Sequence, residues 1–117
     1  AKQIADVAET LAPALSVDVL SLIGGKTIEN QLQKLHRHPH IIIGTPGRLL
    51  DHCNRNSLDL SNVKRVIVDE ADQMLQAGFL EDIDMLISMT PKSRQLLFFS
   101  ACLRLFPLLF RFFGIRK

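Results

Sequence analysis

The stretch "VIVDEADQML" at residues 66–75 places Asp69 and Glu70 directly after three apolar residues, with Asp72 two positions further on. Valine and isoleucine favour extended, packed backbone. The longer run "VKRVIVD" (63–69) therefore reads as a strand that ends in carboxylates. Three more such runs lie around it: "VDVLSLI" (17–23), "HIIIG" (40–44) and "RQLLFFS" (94–100). Between them apolar residues recur at helical spacing. Ile4, Val7, Ala8 and Leu11 predict the buried face of a first helix, with Pro13 just past it. Ile28, Leu32 and Leu35 predict a second helix, and Leu49, Leu50 and Cys53 a third. Phe79, Leu80, Ile83, Leu86 and Ile87 predict a fourth. Near-continuous apolar strands alternating with helices imply an α/β fold, a parallel sheet flanked by helices.

A chain of 117 residues is one domain or part of one, and 47% hydrophobic residues are enough for a packed core. No stretch has eighteen uncharged apolar residues, so no spanning helix is expected and no membrane partner is favoured. The opening "AKQIADVAETLA" is unlike a signal peptide. Cys53 and Cys102 form no CxxC motif and no disulfide framework, so a reducing, cytoplasmic setting is the default. Net charge is +2, but its distribution is uneven. Residues 1–84 carry 8 basic and 12 acidic side chains, and every charged residue after Asp84 is basic. That asymmetry sets the end of the chain apart from its body.

The polar residues cluster where strands end. Gly24-Gly25, Thr45-Pro46-Gly47-Arg48, Asp69-Glu70-Ala71-Asp72 and Ser100-Ala101 each come after a predicted strand. Ligands of open α/β sheets bind outside the carboxyl ends of the strands, so these motifs are expected on one rim. Ordinary turns explain the glycines and proline; they explain Asp-Glu-Ala-Asp poorly. Asp69 suits Mg²⁺ held through water, an ion that takes one or two carboxylates plus phosphate oxygens. Glu70 is placed to orient a water for attack on a phosphoryl group, and Asp72 to hold a neighbouring loop. The plain reading of the same residues is an acidic turn capping the next helix.

Thr45-Pro46 reads as a helix N-cap with proline in the first turn. Such a terminus offers unpaired N–H groups to phosphate, Gly47 permits close approach, and Arg48 adds a fork of donors. Plain capping accounts for the same residues. Gly24-Gly25-Lys26-Thr27 imitates the end of a phosphate loop, but the glycine needed five positions before Gly25 is Leu20. A glycine pair lying against a nucleic-acid backbone, or a tight turn, fits better. His36, His38 and His40 match no zinc spacing and read as solvated loop residues.

With these motifs assembled, residues 1 to about 101 resemble the first RecA-like domain of the DEAD-box ATP-dependent RNA helicases. "DEAD" (69–72) resembles motif II, "TPGR" (45–48) motif Ib, Gly24-Gly25 the GG motif, and "SA" (100–101) the start of the Ser-Ala-Thr motif. Gly78-Phe79 after "DEADQML" is also typical of the family. The resemblance implies a RecA-like P-loop NTPase fold and an enzyme that couples ATP hydrolysis, with Mg²⁺, to RNA unwinding or remodelling. By the same resemblance Asp69 contacts the Mg²⁺ of bound ATP and Glu70 helps position the attacking water. Asp72 links to Ser100 and Ala101, coupling nucleotide state to RNA. Gly24, Gly25, Thr45, Pro46, Gly47 and Arg48 meet the RNA sugar-phosphate backbone, contacts that are blind to base sequence.

The departures are as informative. Family members carry an adenine-recognition motif, a Walker A loop and a "PTRELA" motif upstream, and "AKQIA" resembles the last alanine of that third motif and the residues just after it. The second RecA-like domain is also lacking. The expectation is an incomplete domain, residues 1–101, that is inactive alone. The alternative is a non-enzymatic module that binds RNA weakly or competes for partners. Cys102 stands where the family has threonine. Beyond it, "LRLFPLLFRFFGIRK" resembles nothing in the family and holds 4 of the 7 phenylalanines. Residues 102–117 are set apart as a divergent tail with three readings: a shifted frame or altered splice, a helix packed on the sheet, or an interfacial membrane helix.

Overall fold

A computed structural model describes residues 1–102, 104 and 107. The readings of the tail lie outside them, Cys102, Arg104 and Pro107 apart. In chain order the elements are α1 (Lys2–Leu15), β1 (Val19–Leu22), α2 (Ile28–Leu35), β2 (Ile41–Gly44) and α3 (Pro46–Asn54). They continue with β3 (Arg65–Val68), α4 (Ala71–Gln76), α5 (Leu80–Ser88) and β4 (Gln95–Phe98). All four strands and all four helices expected from the sequence are present, and the short α4 is added. No described helix is long and apolar enough to cross a membrane.

The chain divides into two compact units, Ala1–Asp59 and a second from Leu60 onward. In the first, β1 and β2 pair in parallel, from Val19↔Ile41 to Leu22↔Gly44. Gly44 is glycine for a steric reason: a Cβ there would sit 2.7 Å from the Leu22 carbonyl oxygen and 2.8 Å from the Leu49 side chain. Helix α1 packs on β1. It does so through Ala5 and Ala12, both buried, with Ala8 beside them. This corrects the expected face. Ile4, Val7 and Leu11 are exposed, Val7 by 61%. The smallest side chains let the helix approach the strand closely, and the larger residues on the neighbouring stripe are left outside. Pro13 lies inside α1, in its last turn, rather than past it. On α2 the buried residues are Gln31 and Leu35, with Leu32 half-buried.

In the second unit β3 and β4 pair in parallel, from Arg65↔Gln95 to Val68↔Phe98. Val68, Ala71, Ile83 and Ile87 form the core, with Val66, Met74, Leu75, Leu96 and Phe98 packed against them. Side chains alternate across a strand. Val66 and Val68 therefore meet α4 and α5, while Ile67 points the other way and is 60% exposed.

Candidate functional site

Parallel pairing in register brings the exits of neighbouring strands level. In the second unit Asp69 leaves β3 beside Phe99, which leaves β4. The Phe99 N–H donates to the Val68 carbonyl (2.8 Å), and the Ala71 N–H donates to the Phe99 carbonyl (3.0 Å). These two bonds fix where the acidic turn starts. The turn is sharp because Glu70 adopts the left-handed conformation, φ 53° and ψ 44°. That conformation costs a residue with a Cβ about 1–2 kcal/mol. The kink is braced by Asp69, whose Oδ1 accepts the Glu70 N–H at 2.9 Å. Glu70 takes the N-cap position of α4 with no side-chain cap.

Asp69, Glu70, Asp72, Gln73, Phe99, Ser100 and Ala101 line one cleft of about 350 Å³. Asp69 and Glu70 are exposed, whereas Asp72 is 9% exposed. Among the described residues no hydrogen bond joins Asp72 to Ser100; the Ser100 hydroxyl instead accepts the Cys102 N–H at 3.2 Å. The five motif residues expected at the ends of β3 and β4 are thus brought to one place. A divalent cation of the Mg²⁺ type suits this donor set. Asp69 keeps one oxygen free of the backbone, and hard carboxylate oxygens few in number, completed by water and phosphate, are what that ion prefers. No group of three or more His, Cys, Asp or Glu among the described residues forms a dedicated metal cage.

In the first unit the register Leu22↔Gly44 puts the Gly24-Gly25 turn beside the start of α3. The last ladder bond runs from the Thr45 N–H to the Leu22 carbonyl, 3.3 Å. Thr45 is extended (φ −86°) and Pro46 opens the helix, as the sequence predicts, though the Thr45 side chain makes no capping bond. The Leu49 N–H returns to the Thr45 carbonyl. Gly47 and Arg48 lie in the first turn of α3, where backbone N–H groups have no partner within the helix. Gly25 has φ +87°, and a Cβ on Gly24, Gly25 or Gly47 would meet nothing within 4 Å. Open space therefore lies before all three. Arg48 makes no hydrogen bond or ion pair with the described residues. Gly24-Gly25-Lys26-Thr27 forms an exposed turn, with Thr27 capping α2 in extended backbone, and no phosphate-cradling loop.

Behind these elements lies a group the sequence reading missed. His52 on α3 is 0% exposed and Gln31 on α2 is 2% exposed. The Gln31 Nε2 donates to the Ile23 carbonyl at 3.0 Å. Its Oε1 lies 2.8 Å from the His52 Nε2. That oxygen carries only lone pairs, so the ring proton sits on Nε2. The His52 Nδ1 lies 2.9 Å from the Ser57 hydroxyl, whose single proton also has the His52 carbonyl 2.9 Å away. Burial pushes the imidazole below its ordinary value; Asp51 opposes this, and Arg48 and Arg55 add to it. The signal was present. Ile28, Gln31 and Leu35 share one helical stripe, and a polar residue on an apolar stripe requires a partner.

A family model described as DEAD/DEAH box helicase matches residues 1–107. The DEAD-box ATP-dependent RNA helicase CshA of Geobacillus kaustophilus is 53% identical over 85 residues, 73% of this chain and 18% of that protein. CshA of Bacillus subtilis is 51% identical over 83 residues, 71% of this chain and 17% of that protein. The chain thus spans under a fifth of the length of these curated relatives. A crystal structure of a DEAD box protein from Methanococcus jannaschii superposes with a TM-score of 0.76 at 36% identity, covering 91% of this chain and 31% of that one. A hypothetical ATP-dependent RNA helicase from Sulfolobus tokodaii gives a TM-score of 0.83 at 28% identity, covering 99% of this chain and 35% of that one. The fold is that of the RecA-like domains of these proteins: parallel strands flanked by helices.

Proposed function

The chain belongs to the DEAD/DEAH box helicase family, and from that premise we propose that its residues supply the metal-facing and RNA-facing parts of an ATP-dependent RNA helicase. The observation that carries the reading is the single cleft lined by Asp69, Glu70, Asp72, Ser100 and Ala101. Asp69 holds Mg²⁺ through water, and Glu70 orients the water that attacks the terminal phosphate of ATP. Bound Mg²⁺ would supply charge neutralisation at the phosphates. Asp72, buried beneath the acidic turn, transmits nucleotide state towards Ser100 and Ala101. Gly24, Gly25, Thr45, Pro46, Gly47 and Arg48 hold the RNA backbone through N–H groups and one guanidinium, so binding ignores base identity. A second RecA-like domain is the partner that completes catalysis. The reading carries a cytoplasmic location, which free Cys53 and Cys102 suit.

The 117 residues contain no loop of the G-x-x-x-x-G-K pattern, because Leu20 sits where its first glycine is required. Phosphoryl transfer depends on positioning by all its parts together. The polypeptide alone is therefore expected to show no RNA-stimulated ATP turnover, and its unfolding midpoint is expected to stay put when Mg-ATP is added. A midpoint that rises with nucleotide would overturn this, since only a ligand bound to the native state stabilises it. A second reading, an RNA-binding module without catalysis, is favoured by the RNA-facing groups lying together in the first unit. It predicts weak, salt-sensitive RNA binding with no need of ATP. Arg48→Ala should weaken that binding and leave the fold unchanged; equal affinity of variant and parent would remove its main support.

A further inference from the structure

The β1–β2 ladder ends at the bond from the Thr45 N–H to the Leu22 carbonyl. The Ile23 carbonyl, one residue past β1, stands directly before Gly24-Gly25 and is not part of that ladder, whose acceptors include Asp18 and Leu22; the amide of Gln31 takes it at 3.0 Å. The other end of that amide meets His52 at 2.8 Å. His52 belongs to α3, the helix whose first turn carries Gly47 and Arg48. One buried side chain therefore ties the exit of β1 to the helix beside it, through a ring held on its far side by Ser57.

Stability alone does not account for this arrangement. A fully paired polar group in a core contributes little net, and two apolar side chains of the same shape serve about as well. Satisfied networks confer rigidity and a single geometry. The geometry fixed here is the spacing between a glycine turn and a helix start, both open to solvent. We infer that Gln31 and His52 are positioning residues for RNA: they set the Gly24-Gly25 turn against the start of α3, so that the two meet successive phosphates together. The inference rests on the RNA-binding reading proposed for this unit. Neither side chain touches RNA. Their effect reaches it through the Ile23 carbonyl and the body of α3.

The test uses the 117-residue chain, a fluorescent uridine oligonucleotide, and four variants. Gln31→Met/His52→Leu replaces the two side chains with apolar groups of similar size and leaves the Ile23 carbonyl without its donor, so the unfolding midpoint should fall; a merely structural role predicts that fall with RNA affinity unchanged below the midpoint. The inference predicts the same fall in midpoint with affinity reduced by about fivefold, the ratio that matches one hydrogen bond's net worth. Gln31→Glu keeps the acceptor for His52 and removes the donor to Ile23. It should weaken RNA binding to a similar extent and move the amide resonances of Gly24 and Gly25. Thr90→Val, which removes a buried hydrogen bond to the Ile87 carbonyl elsewhere, should lower the unfolding midpoint and leave affinity alone. Arg48→Ala separates the positioning role from RNA binding itself. If it weakens binding while both network variants bind like the parent, the positioning role is wrong and the RNA reading stands. If the parent shows no binding, or Arg48→Ala changes nothing, the RNA reading falls and takes the positioning role with it. Should the double variant not fold, Gln31→Glu carries the test by itself.

Discussion

The two units solve the same placement problem with different interiors. The unit from Leu60 onward is built around Val68, Ala71, Ile83 and Ile87, an apolar cluster. The unit Ala1–Asp59 packs Leu20, Leu22, Leu35 and Leu50 as well, and among them it buries Gln31 and His52 completely or nearly so. On the function proposed above, the contrast arises from the groups each would present to a ligand. The acidic unit presents carboxylates on side chains at a strand end. Packing α4 on β3 and β4, with one kink at Glu70, suffices to aim them. The glycine unit presents backbone N–H groups and bare turns, which have no side chain to adjust. Only the backbone's own position can aim these groups, and a hydrogen-bonded interior holds it more exactingly than apolar contacts do.

The largest effect expected is from Ile83→Ala. It removes a side chain buried in the apolar unit and should cost about 2–5 kcal/mol, read by hydrogen exchange in denaturant. The loss should concentrate in residues from Leu60 onward; equal loss in both units would break the comparison. Next is Gly44→Ala. The added Cβ meets the backbone oxygen of Leu22 at 2.7 Å, which cannot swing aside as a side chain tip can. A loss of about 1–3 kcal/mol is expected, with β1–β2 amides exchanging faster and β3–β4 amides unchanged. A smaller effect of opposite sign is expected from Glu70→Gly. Glycine accepts φ 53° freely, so the chain should gain up to about 1 kcal/mol in chemical denaturation while losing the carboxylate proposed to orient water. A loss of stability would mean that the Glu70 side chain holds the turn.

The smallest effect concerns pH. His52 is held neutral in the folded chain, below its ordinary value of 6.5. The unfolded chain therefore binds the proton first as pH falls, and stability is lost below about 6.5 down through the folded-state value. The same titration of His52→Leu should lack this component. Asp51, held low chiefly by the hydrogen bond from Arg55, is exposed and titrates far below this window. An identical acid slope in parent and variant would assign the loss to other groups.

Much of this protein is legible without coordinates. Apolar runs and helical stripes are local patterns. They mark every strand, and they mark Thr45-Pro46 as a helix start and Asp69 as a strand exit. Motif order is likewise a property of the chain. Three features were not legible. Ala5 and Ala12 form the packed face of α1 while Val7 stays exposed; periodicity pointed to Ile4, Val7 and Leu11, and close approach to β1 chose the smaller side chains. Gln31 and His52 lie 21 residues apart, and nothing local to either names the other. Glutamate avoids the left-handed backbone that Glu70 adopts, and the brace from Asp69 does not by itself foretell it. It is imposed where the Ala71 N–H reaches across to the Phe99 carbonyl. Local pattern was enough to say which segments form elements and which chemistry leaves their ends. Tertiary contact chose which faces are buried, where each freed hydrogen bond goes and at what angle the carboxylates emerge. Those depend on neighbours that only folding brings within reach.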